Sequence, residues 1–197
     1  MHIHKTNEAG YEDSLTGMML SYHDPAPTKH LDDILSWFTP DQRSDVAGKL
    51  KSKDRGHNKF LQGIETWWAI RAPRYWWSQF DTYRHAMQSI DPSVSLSEST
   101  MHTIMKRQIT QSDFENPIWD ATLNHLNSER VRGNFTGVKN ELPEGFLQLR
   151  MVKLNYDVLR NILIQRTHHK LAAEWGVFCS EVLAQVEHPE LLPAKEV

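Results

Sequence analysis

Two periodicities alternate along this chain. Residues 60–70, FLQGIETWWAI, set Phe60, Gln62, Ile64, Thr66, Trp68 and Ile70 on one face and Leu61, Gly63, Glu65, Trp67 and Ala69 on the other. A period of two among β-branched and aromatic residues predicts a strand. Ala72-Pro73 ends it, because proline has no N–H for a ladder but suits the first turn of a helix. A helix is expected from about Arg74 to Met87. Residues 29–51 place Leu31, Ile34, Leu35 and Phe38 at helical spacing, break at Thr39-Pro40 and restart after an Asp that can cap, giving two short helices. Asp91-Pro92 marks a turn, SLSESTMHTIM (95–105) a shorter strand, and residues 113–131 a helix with Ile118, Leu123 and Leu126 inward. The last third reads as helical, with Leu154, Val158, Leu159, Ile162 and Leu163 in a stripe continued by Leu171, Trp175 and Phe178. The expected class is α+β: one or two sheets of antiparallel strands packed with helices. With no repeat, low-complexity tract or linker, one domain over residues 1–197 is expected.

Composition narrows the partners. At 197 residues and 22.9 kDa the chain can bury a core unaided. A net charge of -3 and a pI near 6.4 give no bulk attraction to polyanions, so nucleic acid is not an expected partner. The one cysteine, Cys179, sits among Val177, Phe178 and Val182 and reads as core. It leaves no intrachain disulfide, and a reducing compartment fits. The start, MHIHKTNEAG, has no apolar leader core, and no run reaches the roughly 18 apolar residues of a membrane span. A soluble, cytoplasmic protein is expected, with no membrane partner.

Two helices carry polar residues where packing alone would not put them. Trp76, Gln79 and Tyr83 stand at i, i+3 and i+7, with Phe80 and Arg84 on the adjacent row. A core helix whose arginine reaches solvent is the ordinary explanation. Likewise Asn155 and Arg166 bracket the stripe of Leu159, Ile162 and Leu163. That guanidinium must reach water or a planar acceptor, such as a carboxylate, phosphate or nucleobase edge. Glu174 is its ordinary internal partner. His2, His4 and the pair His168-His169 lack the spacing of a metal site, and no dinucleotide, P-loop or serine-hydrolase fingerprint is present. Trp67 and Trp68 could stack bases, but few cations surround them, and core packing is the preferred reading.

Taken together, these positions resemble the flavin-dependent thymidylate synthases, also called thymidylate synthase-complementing proteins, over roughly residues 55–178. Gly56-His57 precedes a strand ending in Ala72-Pro73, Gln79 and Arg84 follow, and then Leu142-Pro143, Asn155 and Arg166 keep the family's order and separations. The resemblance implies the family's mixed sheet-and-helix fold, a homotetramer with sites built from several chains, and FAD as cofactor. His57, Arg84, Glu98 and Asn155 would face FAD, while Gln79, Thr100, His102, Lys139 and Arg166 would face a pyrimidine deoxynucleotide, with Arg166 and Thr100 in the catalytic set. The implied reaction transfers a one-carbon unit from methylenetetrahydrofolate to C5 of dUMP, with NADPH reducing the flavin. It needs no cysteine nucleophile, in keeping with Cys179.

The departures are specific. Thr82 and Tyr83 occupy the places of the first Arg and the His of the R-H-R signature, leaving Arg84 alone. Extra residues, IDPSVSL among them, separate Arg84 from Glu98 and Thr100, His102 stands where a phosphate-binding Arg belongs, and Lys139 replaces a nucleotide-binding Arg. A histidine carries only part of a charge near neutral pH. Two rivals therefore stand beside thymidylate synthesis: hydroxymethylation or another change to a different pyrimidine nucleotide, and a non-catalytic protein that keeps the scaffold.

Overall fold

Strands that turn directly into helices set the architecture. The computed structural model describes residues 1–22, 30–53, 56–83, 95–98, 103–166 and 169–193, with residues 95–98 described in backbone only. Strand β1 (His2–Ala9) leads through Gly10 into α1 (Tyr11–Met19). A 3-10 turn, Leu31–Ser36, precedes α2 (Pro40–Leu50), and a second, Lys59–Gly63, precedes β2 (Glu65–Pro73). Helix α3 (Arg74–Phe80) follows at once, then β3 (Ser95–Glu98), α4 (Asp120–Val131) and α5 (Phe135–Glu141). Strand β4 (Leu147–Asn155) passes straight into α6 (Tyr156–Arg166), and α7 (Ala172–Gln185) follows. The sheet order is β1-β2-β4-β3, an α+β arrangement. β3 pairs antiparallel with β4, Glu98 lying opposite Arg150. β2 and β4 also run antiparallel: the Thr66 hydroxyl donates to the Leu154 carbonyl at 2.7 Å, and the Arg74 N–H donates to the Phe146 carbonyl at 3.0 Å.

By packing, the chain forms two compact units, Met1–His4 with Ala69–Val152, and Lys5–Trp68 with Lys153–Val197. In the first, Ile104, Ile109, Phe114, Leu126, Val138, Leu142 and Phe146 form a buried cluster. Trp76, Trp77 and Phe80 of α3 are also buried there, and the Trp77 indole donates to the Gln148 carbonyl at 3.2 Å. In the second, Leu15 and Met19 of α1, Leu61, Ile64, Trp68, Leu159, Trp175, Phe178 and Cys179 are buried, which bears out the core reading of the cysteine. A buried phenol joins its first and last segments: the Tyr156 hydroxyl donates to Glu8 Oε1 at 2.5 Å and accepts the His188 N–H at 3.2 Å. Burial, then the neighbouring Glu8 carboxylate, pushes that phenol well above its ordinary range, so it stays protonated.

Several expectations are corrected. The strand predicted from residue 60 begins at Glu65, because Lys59–Gly63 coil into a 3-10 turn. The first predicted helix of residues 29–51 is a 3-10 turn whose Leu31 and Leu35 are exposed, with Phe38 buried after it. α2 is capped not by an Asp but by Thr39, which accepts the Gln42 N–H while the Gln42 side chain accepts the Thr39 N–H, a capping box with Pro40 in the first turn. Residues 113–119 are not helical, since α4 starts at Asp120. Leu154 belongs to β4 rather than to the helical stripe, and β1, α1, α5 and β4 were not foreseen. The helix predicted to Met87 runs to Phe80 in the described residues, and residues 84–94 lie outside them.

Thr66 ties β2 to β4 through a polar chain with no exposure. Its hydroxyl donates to Leu154 O and accepts the Trp68 indole N–H at 2.7 Å, and both Thr66 and Trp68 are fully buried. Thr66→Val keeps the shape but strands a buried donor and a buried carbonyl. It should lower the unfolding free energy by about 2 kcal/mol in denaturant titration.

Candidate functional site

In the unit of Lys5–Trp68 and Lys153–Val197, a cleft of about 420 Å³ opens beside His57. Close backbone approach builds it. Gly10 begins α1 at φ 88°, and a Cβ there would meet the Gly63 carbonyl oxygen at 2.2 Å; one on Gly63 would meet Ser14 Oγ at 2.3 Å. Position 10 therefore requires glycine for α1 to lie this close to the 3-10 turn, while a side chain at position 63 would force the Ser14 hydroxyl aside. The lining includes His57 and Lys59, the hydroxyls of Ser14, Ser21 and Tyr22, and the apolar Phe60. Among the described residues, no carboxylate lines it. Such a wall suits a ligand with an apolar or aromatic body and an anionic group.

The loop carrying His57 is anchored from below. The side-chain amides of Asn58 and Gln62 donate to Asp157 Oδ1 and Oδ2, each at 3.3 Å, at the first turn of α6. The Tyr156 N–H donates to the Ile64 carbonyl at 3.0 Å, and Asn155 Oδ1 accepts the Val158 N–H at 3.0 Å, capping α6 where β4 ends. Asp157 thus bonds the residue after His57 and sits two residues beyond Asn155. His57 itself is exposed and Asn155 is buried, 7% accessible. Two of the four residues that the resemblance assigns to FAD, His57 and Asn155, belong to segments held together by this pair of amide contacts.

Arg166 ends α6, eleven residues from Asn155, which at 1.5 Å per residue puts them about 16 Å apart along the axis. Half-buried, its guanidinium stacks over the Trp175 ring, 4.6 Å from the centroid. This cation–π contact is one of the interactions that the guanidinium makes. His169 packs edge-on to the same ring at 6.2 Å, and its Nδ1 accepts the Leu171 N–H at 3.1 Å. Desolvation lowers the His169 pKa, and the Arg166 and Lys170 charges lower it further.

In the other unit, Gln79 lies half-buried on α3, and the Thr82 hydroxyl donates to its carbonyl at 2.7 Å. Lys139 on α5 stands 5.7 Å over the Phe135 ring. Glu98 is placed by backbone register alone, and Arg84, Thr100 and His102 lie outside the described residues. One cation was not singled out from the sequence. Arg150 on β4, 7% accessible, bonds both oxygens of Asp81 at 3.1 Å. As for metals, Glu8, Glu187 and His188 bring possible ligand atoms within 4.8 Å of one another. The Lys5 ammonium already lies 2.8 Å from Glu8 and 3.1 Å from Glu187, supplying the positive charge there.

No family model matches the chain, and no curated protein sequence matches it. Solved structures do. The chain is similar to the flavin-dependent thymidylate synthase ThyX of Helicobacter pylori complexed with FAD and dUMP, at a TM-score of 0.65 and 12% identity, over 98% of both chains. A second structure of that enzyme with FAD and dUMP matches at 0.63 and 13%, over 98% of this chain and 97% of the other. A UMP/dUMP methylase, PolB of Streptomyces cacaoi, bound with 5-Br dUMP, matches at 0.61 and 12%, over 98% and 92%. The fold is therefore that of the flavin-dependent thymidylate synthases.

The electrostatics of α6 and α7 can be checked directly. With its pKa lowered in the folded state, His169 favours folding in its neutral form, a contribution lost as pH falls from the ordinary imidazole value through the lowered one. The His169 imidazole should titrate below an unstructured histidine by NMR, and Arg166→Ala should move its midpoint upward. An unmoved midpoint would place the two groups apart.

Proposed function

We propose that this chain is a flavin-dependent enzyme that transfers a one-carbon unit from methylenetetrahydrofolate to C5 of dUMP. The observation that carries the reading is the anchoring of the His57 loop to the Asn155 junction, through Asn58, Gln62 and Asp157, beside a cleft whose charged lining among the described residues is cationic. The likeness in fold to an enzyme complexed with FAD and dUMP, over 98% of both chains, supports it. The cleft suits FAD in donor chemistry: hydroxyls, an imidazole and an ammonium meet an anionic group, and Phe60 offers an apolar wall to a ring system.

His57 and Asn155, with Arg84 and Glu98, are the residues proposed to hold FAD. Bound flavin, reduced by NADPH, would supply hydride to the transferred carbon. Gln79, Thr100, His102 and Lys139 would bind the nucleotide, and Arg166 would grip the pyrimidine carbonyl edge. Activating C5 as a nucleophile builds negative charge on that edge, which is then spent in the bond to the one-carbon unit, and a fixed guanidinium would stabilise that charge more in the transition state than in the ground state. The Trp175 face holds the guanidinium from one side, which limits the reorganisation needed at that moment. Thr100 is proposed to complete the catalytic set. Cys179 is buried in the core and has no part in this chemistry.

In keeping with the resemblance, we propose a homotetramer of single-domain subunits, with sites shared between chains, acting in the cytoplasm. Among the described residues, no helix is long and apolar enough to cross a membrane. A second reading has its own support. The similar structure of a UMP/dUMP methylase, together with Thr82, Tyr83 and His102 at eroded signature positions, favours a different pyrimidine nucleotide or a hydroxymethyl product on the same scaffold.

The test is product mass. Incubated with FAD, NADPH, folate labelled in its one-carbon unit and a panel of dUMP, UMP and dCMP, the enzyme should label dUMP with a methyl increment. A hydroxymethyl increment, or label on another base, would select the second reading, and no labelled nucleotide would leave the non-catalytic scaffold. Arg166→Ala should lower kcat/KM by about 10²–10³-fold, as expected for loss of a donor to developing charge. Unchanged turnover would remove Arg166 from the catalytic set.

A further inference from the structure

Arg150 is an unusual residue for the middle of a strand. Its accessibility is 7%, and its neighbours on the buried side of β4 are Gln148, Val152 and Leu154. The guanidinium is contacted from the end of α3 and from β4 itself. Nη1 lies 3.1 Å from both oxygens of Asp81, Nη2 donates to Gln148 Oε1 at 3.0 Å, and the plane lies 4.4 Å over the ring of Trp77. Trp77 closes the circuit, its indole donating to the Gln148 carbonyl at 3.2 Å and its own carbonyl accepting the Asp81 N–H at 2.8 Å.

The position of Asp81 gives this circuit its meaning. Asp81 caps the C-terminal end of α3, two residues after Gln79 and immediately before Thr82 and Tyr83, which stand where the resembled signature has Arg and His. Arg150 is buried but the Asp81 side chain is 35% accessible, so the pair is a poor device for stability: desolvation of the guanidinium offsets much of an attraction that solvent screens at Asp81. A planar guanidinium does something an apolar pair cannot: it sets direction at a carboxylate, an amide and an aromatic face together. We propose that Arg150 is a positioning residue, whose contact with Asp81 fixes the end of α3 and with it the Gln79 carboxamide that faces the nucleotide. The fixed cation missing from the signature is supplied from β4, and its charge is used to hold the helix end rather than to meet a phosphate. The inference rests on the function proposed above.

Calorimetric titration of dUMP into the FAD-loaded protein, with thermal melting in parallel, separates positioning from packing. The variants are Arg150→Lys, which keeps the charge but not the plane, and the double replacement of Arg150→Met with Asp81→Leu, which leaves no buried charge unpaired. The double variant should melt near the wild-type temperature yet bind dUMP about tenfold more weakly, the scale of a displaced recognition group. Arg150→Lys, which retains an ion pair and is the safer folder, should lose about threefold. Wild-type affinity in either folded variant would overturn the inference while leaving the proposed function intact. A wild-type protein that ignores dUMP would instead overturn the proposed function, and the inference with it.

Discussion

The structure depends on the position of β2 between β1 and β4. A strand with neighbours on both sides satisfies its backbone in the ladder and is free to bury one whole face. Here Thr66, Trp68, Ile70 and Ala72 are all fully inaccessible. The single polar group among them is satisfied twice over, by Leu154 and Trp68. Proline at position 73 cannot extend such a ladder, and helix α3 begins at the next residue. The same transition recurs where β1 passes through Gly10 into α1 and where β4 passes into α6.

These junctions position the candidate chemistry. Asn155 is the last residue of β4 and its side chain caps α6, so its placement is set by both elements. His57 lies on a loop, but the amides on either side of the Phe60 turn bond one carboxylate, Asp157, at the start of the same helix. Gln79 and Arg166 sit near helix ends, and each of these helix ends has a cation over an indole nearby in the fold: Arg150 over Trp77 of α3, Arg166 itself over Trp175. Arginine over an indole face keeps its charge while losing little rotational freedom, which suits groups that must wait in one orientation for a ligand.

How much of this was legible in the sequence follows from where polar residues fall. β2 was readable because its buried positions are Trp, Ile and Ala with a lone Thr. β4 was not, because Gln148 and Arg150 fill its buried positions while Leu149 is about half exposed, inverting the expected alternation. Its last apolar residue, Leu154, then merged into the period of α6. β1, HIHKTNEA, is a half-exposed edge strand with almost no apolar face to detect. The alternation of Phe60, Gln62 and Ile64 continued the strand pattern into a 3-10 turn, where contacts to α1 and α6 decided the backbone. His57, Gln79, Asn155 and Arg166 could be singled out because their order and spacing match those of the resembled family, whereas Lys59 and Arg150 are solitary basic residues with no spacing to mark them.

The central claim is that the cleft beside His57 belongs to a flavin site coupled to a pyrimidine nucleotide. The absorbance spectrum of the purified protein supplied with FAD tests this most directly. A flavin site of this kind retains a visible flavin band that shifts when dUMP is added; a protein that stays colourless after FAD is offered and removed has no such site.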